Sequence, residues 1–465
     1  MTDETDTNAP DSVTRESHDH LSPDFVRNVL DLVEHGEVEA AREMVEPLHP
    51  ADIADLVELT PGDQRHALAA AISGLIDGDV LAEMNDWVRD ELIESLDPHE
   101  VADIAAELDT DDAVAIIEDM EEEDQRAVLR ALDPDDRAAI EEALSYPEES
   151  AGRLMQRELI AVPEHWTVGD VLDYLRGEEE LATDFWEIFV VDPAHKPVGT
   201  CALSWILRTP RAVAMGDVMK REQTLIPVGM DQEEVALIFQ KYALISAAVV
   251  DDSGRLVGMI TVDDVVHIIS EEAGEDALLL SGAGEGDINE PVVDSYKVRV
   301  RWLIANLGTA MVAATIIGMF EGTIAKMVTL AALMPIVAGV GGNAGTQTMA
   351  VTVRALATNQ LTQSNTLRAI RREIQVALLN GVTIAAVLGS GVGLVFQNVL
   401  LGGVIATAML ANIVIAGCAG VLVPLTLARF RADPAVASSV FVTMTTDSMG
   451  FLVFLGLASA SGLTG

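Results

Sequence analysis

The sequence predicts an α-helical membrane protein with five transmembrane helices, preceded by an α-helical superhelical N-terminal domain and an α/β tandem domain. Three observations support this class: charge is segregated along the chain, the acidic part contains two repeats, and the last third carries long apolar segments. Of 75 acidic residues in the 465-residue chain, 71 lie before residue 301, against 20 basic residues there. The remainder holds four acidic and eight basic residues. The chain therefore joins an acidic soluble part to an apolar, nearly uncharged part.

The net charge and the cysteine content limit the kinds of partner and metal site that the chain can have. A net charge of -47 argues against nucleic acid, because phosphates would be repelled, and it fits cations or a surface adapted to high salt. Cys201 and Cys418 are far apart in the sequence and indicate neither a disulfide framework nor a zinc site. The acidic, polar start of the chain lacks the character of a secretory signal, so we expect residues 1–300 to remain in the cytoplasm.

The first repeat is helical. Residues 1–21 are predicted to be a disordered acidic tail, and residues 22–147 an acidic superhelical domain. Blocks such as LDPHE at 96 and LDPDD at 132 recur in this domain. Each block ends one helix with an apolar residue, supplies an Asp or Thr N-cap, and often places Pro at the first helical position. Short helices stacked in this way form a superhelical array.

The second repeat covers residues 148–270, with copies at 148–210 and 211–270. VVDPAHKPVG in the first copy matches VVDDSGRLVG in the second. Each copy has the pattern strand, helix, strand, turn, strand, helix. This pattern resembles tandem CBS domains, which are regulatory adenosine-nucleotide modules in many proteins.

The CBS resemblance implies one candidate nucleotide site. In that family a Thr or Ser and an Asp three residues later hold ribose and phosphate, and here they would be Thr261 and Asp264. The first copy has Ala202 and Trp205 at those places, so we expect any nucleotide in the second copy only. A purely structural tandem remains an open alternative.

Residues 271–298 are predicted to form an acidic linker helix, and residues 299–465 a transmembrane pore domain. Five segments are long enough to cross a hydrocarbon core of about 30 Å, which needs roughly twenty residues. Their basic flanking residues all fall on one side if the N-terminus is inside. We therefore expect a multi-pass protein of the cytoplasmic membrane with a cytoplasmic N-terminus and an outside C-terminus. The segments lie near 302–320, 327–353, 374–398, 402–428 and 436–460.

One acidic residue, Asp447, lies deep in the fifth segment. An ionised carboxylate at the bilayer centre costs at least about 2.5 kcal/mol, so it marks a polar pathway by default. The alternative is a protonated Asp447 that only hydrogen-bonds a neighbouring helix. Thr443, one turn earlier, and Gly450, about one turn later, extend a polar stripe along one helical face.

The second segment carries a matching stripe, in which Pro335, Gly339, Asn343 and Gln347 recur every four residues. Close helix packing explains the glycines of this segment but requires neither Asn nor Gln. Amide and hydroxyl oxygens, including that of Thr346, are hard neutral ligands. They suit Mg²⁺, which gives up water reluctantly. Neither His nor Cys lies on these stripes, so a soft transition metal is disfavoured.

The chain is predicted to have an acidic helical domain, a CBS pair, an acidic linker helix and five spans, in this order. This order and two motifs resemble the MgtE family of magnesium channels and transporters. The motifs are LMPIVAGVGGNAGTQTMAVTVRALA, from residue 333, and DPAVASSVFVTMTTDSMGFLVFLGLA, from residue 433. The resemblance implies a homodimer in the lipid bilayer, with a Mg²⁺ pore along the subunit interface. It makes Asp447 the ion-selecting carboxylate, with Asn343 and Gln347 in the pore wall, and places Asp433 at the inner mouth.

The family also implies a gate that cytosolic Mg²⁺ holds closed by bridging acidic residues of the N-terminal domain, the CBS pair and the linker helix. Like-charged surfaces repel, and a divalent cation between them reverses the sign of the interaction. The candidate regulatory ligands, by motif position, are Asp111, Asp264, Glu272, Glu275 and Asp276.

Other functions remain open from the residues alone. One is transport of another divalent cation, such as Co²⁺ or Mn²⁺, or ion/H⁺ exchange, which a second intramembrane ionisable residue beside Asp447 would favour. Another is a membrane protein that senses nucleotide through its CBS pair. The apolar segments contain no histidine and no nucleophile–base arrangement, so we expect no enzyme. The expected ligands are Mg²⁺ and, if the CBS pair binds nucleotide, an adenosine nucleotide such as ATP.

Overall fold

The computed structural model describes residues 15–17, 20–177, 185–281, 286, 288–361, 364–430 and 432–463. The chain divides into two compact units, Met1–Ile269 and Ser270–Gly465. Each unit has its own buried apolar core.

The described part of the first unit begins with an antiparallel ribbon of β1 (Arg15–Ser17) and β2 (His20–Leu21), within the tail that the sequence predicted to be disordered. Leu21 is buried in the core of the helices that follow, which anchors the ribbon. The rest of the predicted tail lies outside the described residues. The helices are α1 (Pro23–Glu34), α2 (Val38–Val45), α3 (Pro50–Glu58), α4 (Gly62–Ala71), α5 (Gly78–Ala82), α6 (Asp86–Ile93), α7 (Pro98–Ala105), α8 (Thr110–Glu118), α9 (Glu122–Ala131) and α10 (Pro134–Leu144).

The predicted sequence blocks lie at helix starts. Asp97 caps α7, and its carboxylate accepts a hydrogen bond from the amide of His99. In the capping box, the carboxylate of Glu100 accepts a hydrogen bond from the amide of Asp97 at 2.9 Å. Asp109 and Asp133 also occupy N-cap positions, without a side-chain cap hydrogen bond. Thr60 is not a cap, because its hydroxyl donates to a carbonyl one turn earlier in the preceding helix.

The α/β part contains two three-stranded sheets of identical topology, as the internal repeat predicts. In each sheet the first strand is parallel to the second, and the second is antiparallel to the third. The strands are β3 (Ala161–Pro163), β4 (Glu187–Val191), β5 (Pro197–Ala202), β6 (Leu225–Pro227), β7 (Ser246–Val250) and β8 (Leu256–Thr261). The helices are α11 (Val168–Gly177), α12 (Leu203–Ile206), α13 (Met215–Val218) and α14 (Gln232–Tyr242).

The next helix, α15 (Val262–Ser281), continues without a break through residue 271, where the sequence predicted a separate linker helix to begin. The segment has no proline and a single glycine, so nothing in it interrupts helical hydrogen bonding. The end of the second CBS copy and the first part of the linker are therefore one helix.

The second unit is helical, and not all of its helices meet the criteria for a membrane span. Its helices are α16 (Val292–Met319), α17 (Glu321–Lys326), α18 (Thr329–Ala357), α19 (Thr366–Val395), α20 (Val399–Arg429) and α21 (Pro434–Ala460). Among the described residues, four are long and apolar enough to span a membrane: α16, α19, α20 and α21 from Ser438 onward. The predicted count of five is thus not confirmed. The remaining predicted span is α18, whose 29 residues suffice in length but include the polar GGNAGTQT motif.

Helix α20 packs against α18, α19 and α21. Small residues allow these close approaches. A Cβ atom added at Gly402 of α20 would lie 2.5 Å from the carbonyl oxygen of Gly389 in α19. One added at Gly417 would lie 2.5 Å from the Cβ atom of Ala377. Apolar helices without water between them associate through such contacts.

Candidate functional site

The polar stripe of α18 lies on the exposed face of this helix. Pro335, Gly339, Asn343 and Gln347 are all exposed in the single chain, whereas Gly345 is buried on another face. Residues four apart lie one above the other on an α-helix, so these four form one continuous strip. The two amide side chains are therefore presented to whatever adjoins this face of the unit.

The opposite face of α18 packs against its neighbours, and its glycines serve that packing. A Cβ atom added at Gly345 would lie 2.7 Å from Cγ1 of Val442 and 3.3 Å from Cγ2 of Thr446, both in α21. The close approach of α18 and α21 thus accounts for this glycine, as helix packing predicts.

Helix α21 presents a carboxylate close to this contact. Asp447 is half-buried, and Thr443, one turn earlier, is exposed. Asp447 directly follows Thr446, which packs against α18. Gly450 differs from both, because it is buried, and a Cβ atom added there would lie 2.7 Å from Nδ2 of Asn412. Its burial supports a role in helix packing and does not support the predicted place beside the ion.

Two other predicted pore residues make local hydrogen bonds. Thr346 is exposed, and its hydroxyl donates to the carbonyl of Gly342, 3.1 Å away in the same helix. Asp433 is exposed and caps α21, with its carboxylate accepting a hydrogen bond from the amide of Ala435 at 2.7 Å. A carboxylate at a helix N-terminus is stabilised by the helix dipole.

One buried polar residue of this unit was not singled out from the sequence. Asn412 of α20 is completely buried, and its Nδ2 donates to the carbonyl oxygen of Val337 in α18 at 2.9 Å. A lone amide in an otherwise apolar helix was the available signal. Its partners could not be read from the sequence, because they lie on other helices.

An acidic residue other than Asp447 is buried in this unit. Glu373 of α19 is 7% exposed and pairs with Arg372 at 2.6 Å. It lines a cavity of about 230 Å³ together with Gln347 and Asn380. The sequence did not indicate a deep position for Glu373, because this residue lies near the start of its helix, next to two arginines.

In the first unit, the structure brings together two predicted regulatory residues. The charge of Asp264 acts on both Asp111 and Asp112 of α8. Oδ1 of Asp111 is buried and accepts no hydrogen bond within the described part of the chain. The carboxylate of Asp264 accepts a hydrogen bond from the hydroxyl of Thr261 at 2.6 Å. Thr261 and Asp264, the two residues predicted to contact a nucleotide, are thus hydrogen-bonded to each other.

Burial and mutual repulsion disfavour the charged forms of these acids. Burial, followed by the charge of Asp264, raises the pKa of Asp111 well above its usual range and that of Asp112 to about 7. Burial also raises the pKa of Asp264, against the hydrogen bond from Thr261, which lowers it. A cation placed among these groups would relieve both penalties.

The donor set fits Mg²⁺ only with water completing the coordination. Among the described residues, no group of three acidic, histidine or cysteine side chains could hold a metal ion. A pair of carboxylates such as Asp111 and Asp264 still suits Mg²⁺, which keeps several waters and commonly binds through one or two carboxylates.

Helix α8 is held to the α/β part by two side-chain contacts. The hydroxyl of Thr110 donates to Glu158 at 2.8 Å, and Arg153 pairs with Glu118 at 2.5 Å. These contacts place the acidic cluster of Asp111, Asp112 and Asp264 between two attached parts of one compact unit.

The remaining predicted regulatory residues lie further along α15. Glu272 is half-buried and Glu275 is exposed, and both belong to the second compact unit. The side chain of Asp276 lies outside the described residues.

Three segments match known families. Residues 334–457 match MgtE, described as a divalent cation transporter, residues 48–149 match the MgtE intracellular N domain, and residues 215–271 match the CBS domain.

Curated relatives cover most of the chain. The magnesium transporter MgtE of Bacillus subtilis is 31% identical over 321 residues, covering 68% of this chain and 70% of the relative. The magnesium transporter MgtE of Thermus thermophilus is 33% identical over 318 residues, which cover 67% of this chain and 70% of the relative. A crystal structure of the cytosolic domain of the Mg²⁺ channel MgtE in complex with ATP is 29% identical, with a TM-score of 0.47, covering 52% of this chain and 99% of that one.

We expect the packing of α8 against the α/β part to weaken as pH rises in the absence of Mg²⁺. The pKa of Asp112 is raised from 3.8 to about 7, so between these values the packed state binds a proton that an opened state has lost. Raising pH through this window therefore destabilises the packed state. Hydrogen-exchange protection factors of the α8 amides, which correct for intrinsic rates, should fall by about tenfold or more.

Asp112→Asn should remove the part of this pH dependence that Asp112 contributes, while Asp111 and Asp264, whose pKa values are also raised, keep theirs. Asp63→Asn, which replaces an exposed acid of the same domain, is the matched control and should retain it. Equal pH dependence in both variants would contradict the assignment.

Proposed function

The chain belongs to the MgtE family of divalent cation transporters, and we propose that it is a homodimeric Mg²⁺ channel whose pore is lined by α18 and α21. The observations that carry this proposal are the exposed strip of Asn343 and Gln347 on α18 and the half-buried Asp447 of α21, the helix that packs against α18 at Gly345. Amides facing lipid would lack hydrogen-bond partners, and a carboxylate there would lack water. A second copy across a twofold axis would enclose these groups in a wet passage.

The proposed passage selects by charge and by the chemistry of its oxygens. Asp447 supplies one negative charge per subunit, and Asn343, Gln347 and Thr346 supply neutral oxygens. Such groups hydrogen-bond the water shell of a hydrated dication without trapping it. Mg²⁺ suits this arrangement because it loses water reluctantly.

Uptake needs no hydrolysis in this proposal. A membrane potential contributes about 2.3 kcal/mol per elementary charge per 100 mV, and a dication experiences twice that. Inward flow down the potential is therefore sufficient.

The proposed topology has five crossings, with α18 as the second. Basic residues flank the spans on one side, which supports a cytoplasmic N-terminus and an outside C-terminus. Asp433 then lies at the inner mouth of the passage, at the start of α21. The protein is proposed to reside in the cytoplasmic membrane.

Cytosolic Mg²⁺ is proposed to close the channel by binding between Asp111 and Asp264. By motif position, Glu272, Glu275 and Asp276 of α15 are proposed as ligands of regulatory Mg²⁺ as well. The orphaned Oδ1 of Asp111 supports the first pair. Thr261 and Asp264 are also the proposed contacts for an adenosine nucleotide such as ATP. Asp264 would then respond to both ligands.

Asp447→Asn should lower Mg²⁺ uptake into proteoliposomes by at least about tenfold, because it removes the fixed charge from a low-dielectric passage. The control is Asp433→Asn, which changes an exposed acid at the start of the same helix. It should retain more uptake than Asp447→Asn. Full uptake by a correctly inserted Asp447→Asn protein would refute the pore assignment.

Asp111→Asn combined with Asp264→Asn should leave Mg²⁺ currents that high internal Mg²⁺ no longer inhibits. The variant removes the charges that the regulatory ion is proposed to bridge. Patch recording with internal Mg²⁺ varied measures the concentration for half-inhibition, which we expect to rise by about tenfold or more. Asp63→Asn is again the control, and an unchanged half-inhibition in the double variant would count against this gate.

A further inference from the structure

Asn412 is a completely buried amide that joins two helices of the proposed passage. It lies on α20, and its Nδ2 donates to the carbonyl oxygen of Val337 in α18 at 2.9 Å. Its Oδ1 is also buried and has no partner among the described residues. An unsatisfied buried acceptor is unfavourable, so the residue carries an energetic penalty that an apolar side chain would avoid.

Two glycines make room for this amide. A Cβ atom added at Gly341 of α18 would lie 2.1 Å from Nδ2 of Asn412. One added at Gly450 of α21 would lie 2.7 Å from Nδ2 and 3.0 Å from Oδ1. The side chain therefore touches the backbones of both helices, and all three residues depend on one another sterically.

Packing alone does not require an amide here. Gly345 of α18 meets Val442 and Thr446 through methyl groups, and Gly417 of α20 meets the methyl group of Ala377. These close approaches in the same unit use apolar contacts. At Asn412 the contact is instead directional, because an N–H group must point at one carbonyl oxygen.

The contact lies close in sequence to the proposed pore groups. Gly341 precedes Asn343 by two residues, and Gly450 follows Asp447 by three. Both segments are helical, so a rotation or shift of either helix at its glycine displaces the neighbouring pore group with it. A hydrogen bond from Asn412 to α18, together with contact against α21, limits such displacements.

We propose that Asn412 is a positioning residue that sets the spacing and rotation of α18 against α21, and thereby the relative placement of Asn343 and Asp447. It acts through these residues and does not itself touch the ion. The inference rests on the proposed function, because it concerns the same passage.

The test compares Asn412→Leu with Thr407→Val in the full-length protein in proteoliposomes. Leu has a similar size but cannot donate to Val337. Thr407 is an exposed residue of the same helix, and its hydroxyl donates to the carbonyl of Gly403, one turn earlier in that helix, at 2.9 Å. We expect Asn412→Leu to raise the Mg²⁺ concentration for half-maximal uptake by about tenfold, since small misplacements of binding groups have effects of this size or larger. Thr407→Val should leave it unchanged.

A second pair of variants separates positioning from space filling. Gly341→Ala alone should reduce the yield of folded protein, because its methyl group collides with Asn412. Adding Asn412→Ala removes the collision and should restore folding. The double variant should nevertheless keep the raised half-saturation concentration, because the hydrogen bond is still missing.

Each outcome bears on the inference. Normal half-saturation in Asn412→Leu, or in the folded double variant, would overturn it and leave Asn412 as a space-filling residue. If Asn412→Leu does not fold, the double variant decides. Absence of Mg²⁺ uptake by the unmodified protein would contradict the proposed function itself. Uptake that is present and unchanged in every variant contradicts only the positioning role.

Discussion

The cost of removing a polar group from water without a partner governs how polar side chains are distributed in the second unit. Glu373 is buried and paired with Arg372, and Asn412 is buried with one hydrogen bond to α18. Asn343 and Gln347 remain on an exposed face. That face cannot remain in contact with lipid without cost, so it indicates a wet passage or an interface. In the proposed dimer it is both.

The same constraint acts in the first unit on charges of one sign. Asp111, Asp112 and Asp264 are brought together at a contact that Thr110 and Arg153 hold in place. Such crowding is unfavourable for a protein without a bound cation. A divalent cation changes the sign of the interaction, so occupancy by Mg²⁺ would set how firmly the two parts adhere. An acidic surface alone would not do this, because exposed acids remain solvated and separated.

Periodicity made part of this arrangement predictable. The four-residue spacing on α18 placed its polar groups on one face, and the repeated strand–helix pattern indicated two sheets of the same topology. Features that depend on contacts between distant segments were not predictable. The partners of Asn412 and the burial of Glu373 arise from helix packing, which sequence spacing does not encode. For the same reason the sequence did not indicate that Gly450 is buried against Asn412. The prediction of five spans used the length of the apolar segments. The polar GGNAGTQT motif of α18 makes this helix less apolar, and α18 is not among the helices that meet the criteria for a membrane span.

Cysteine accessibility along α18 tests the central claim most directly. In a cysteine-free background, Asn343→Cys and Gln347→Cys should react rapidly with a charged, membrane-impermeant methanethiosulfonate reagent. Mg²⁺ should slow the reaction. Val337→Cys, on the buried face, should not react. Reaction of the strip only with lipid-soluble reagents, or equal reaction of both faces, would contradict a wet cation passage along this helix.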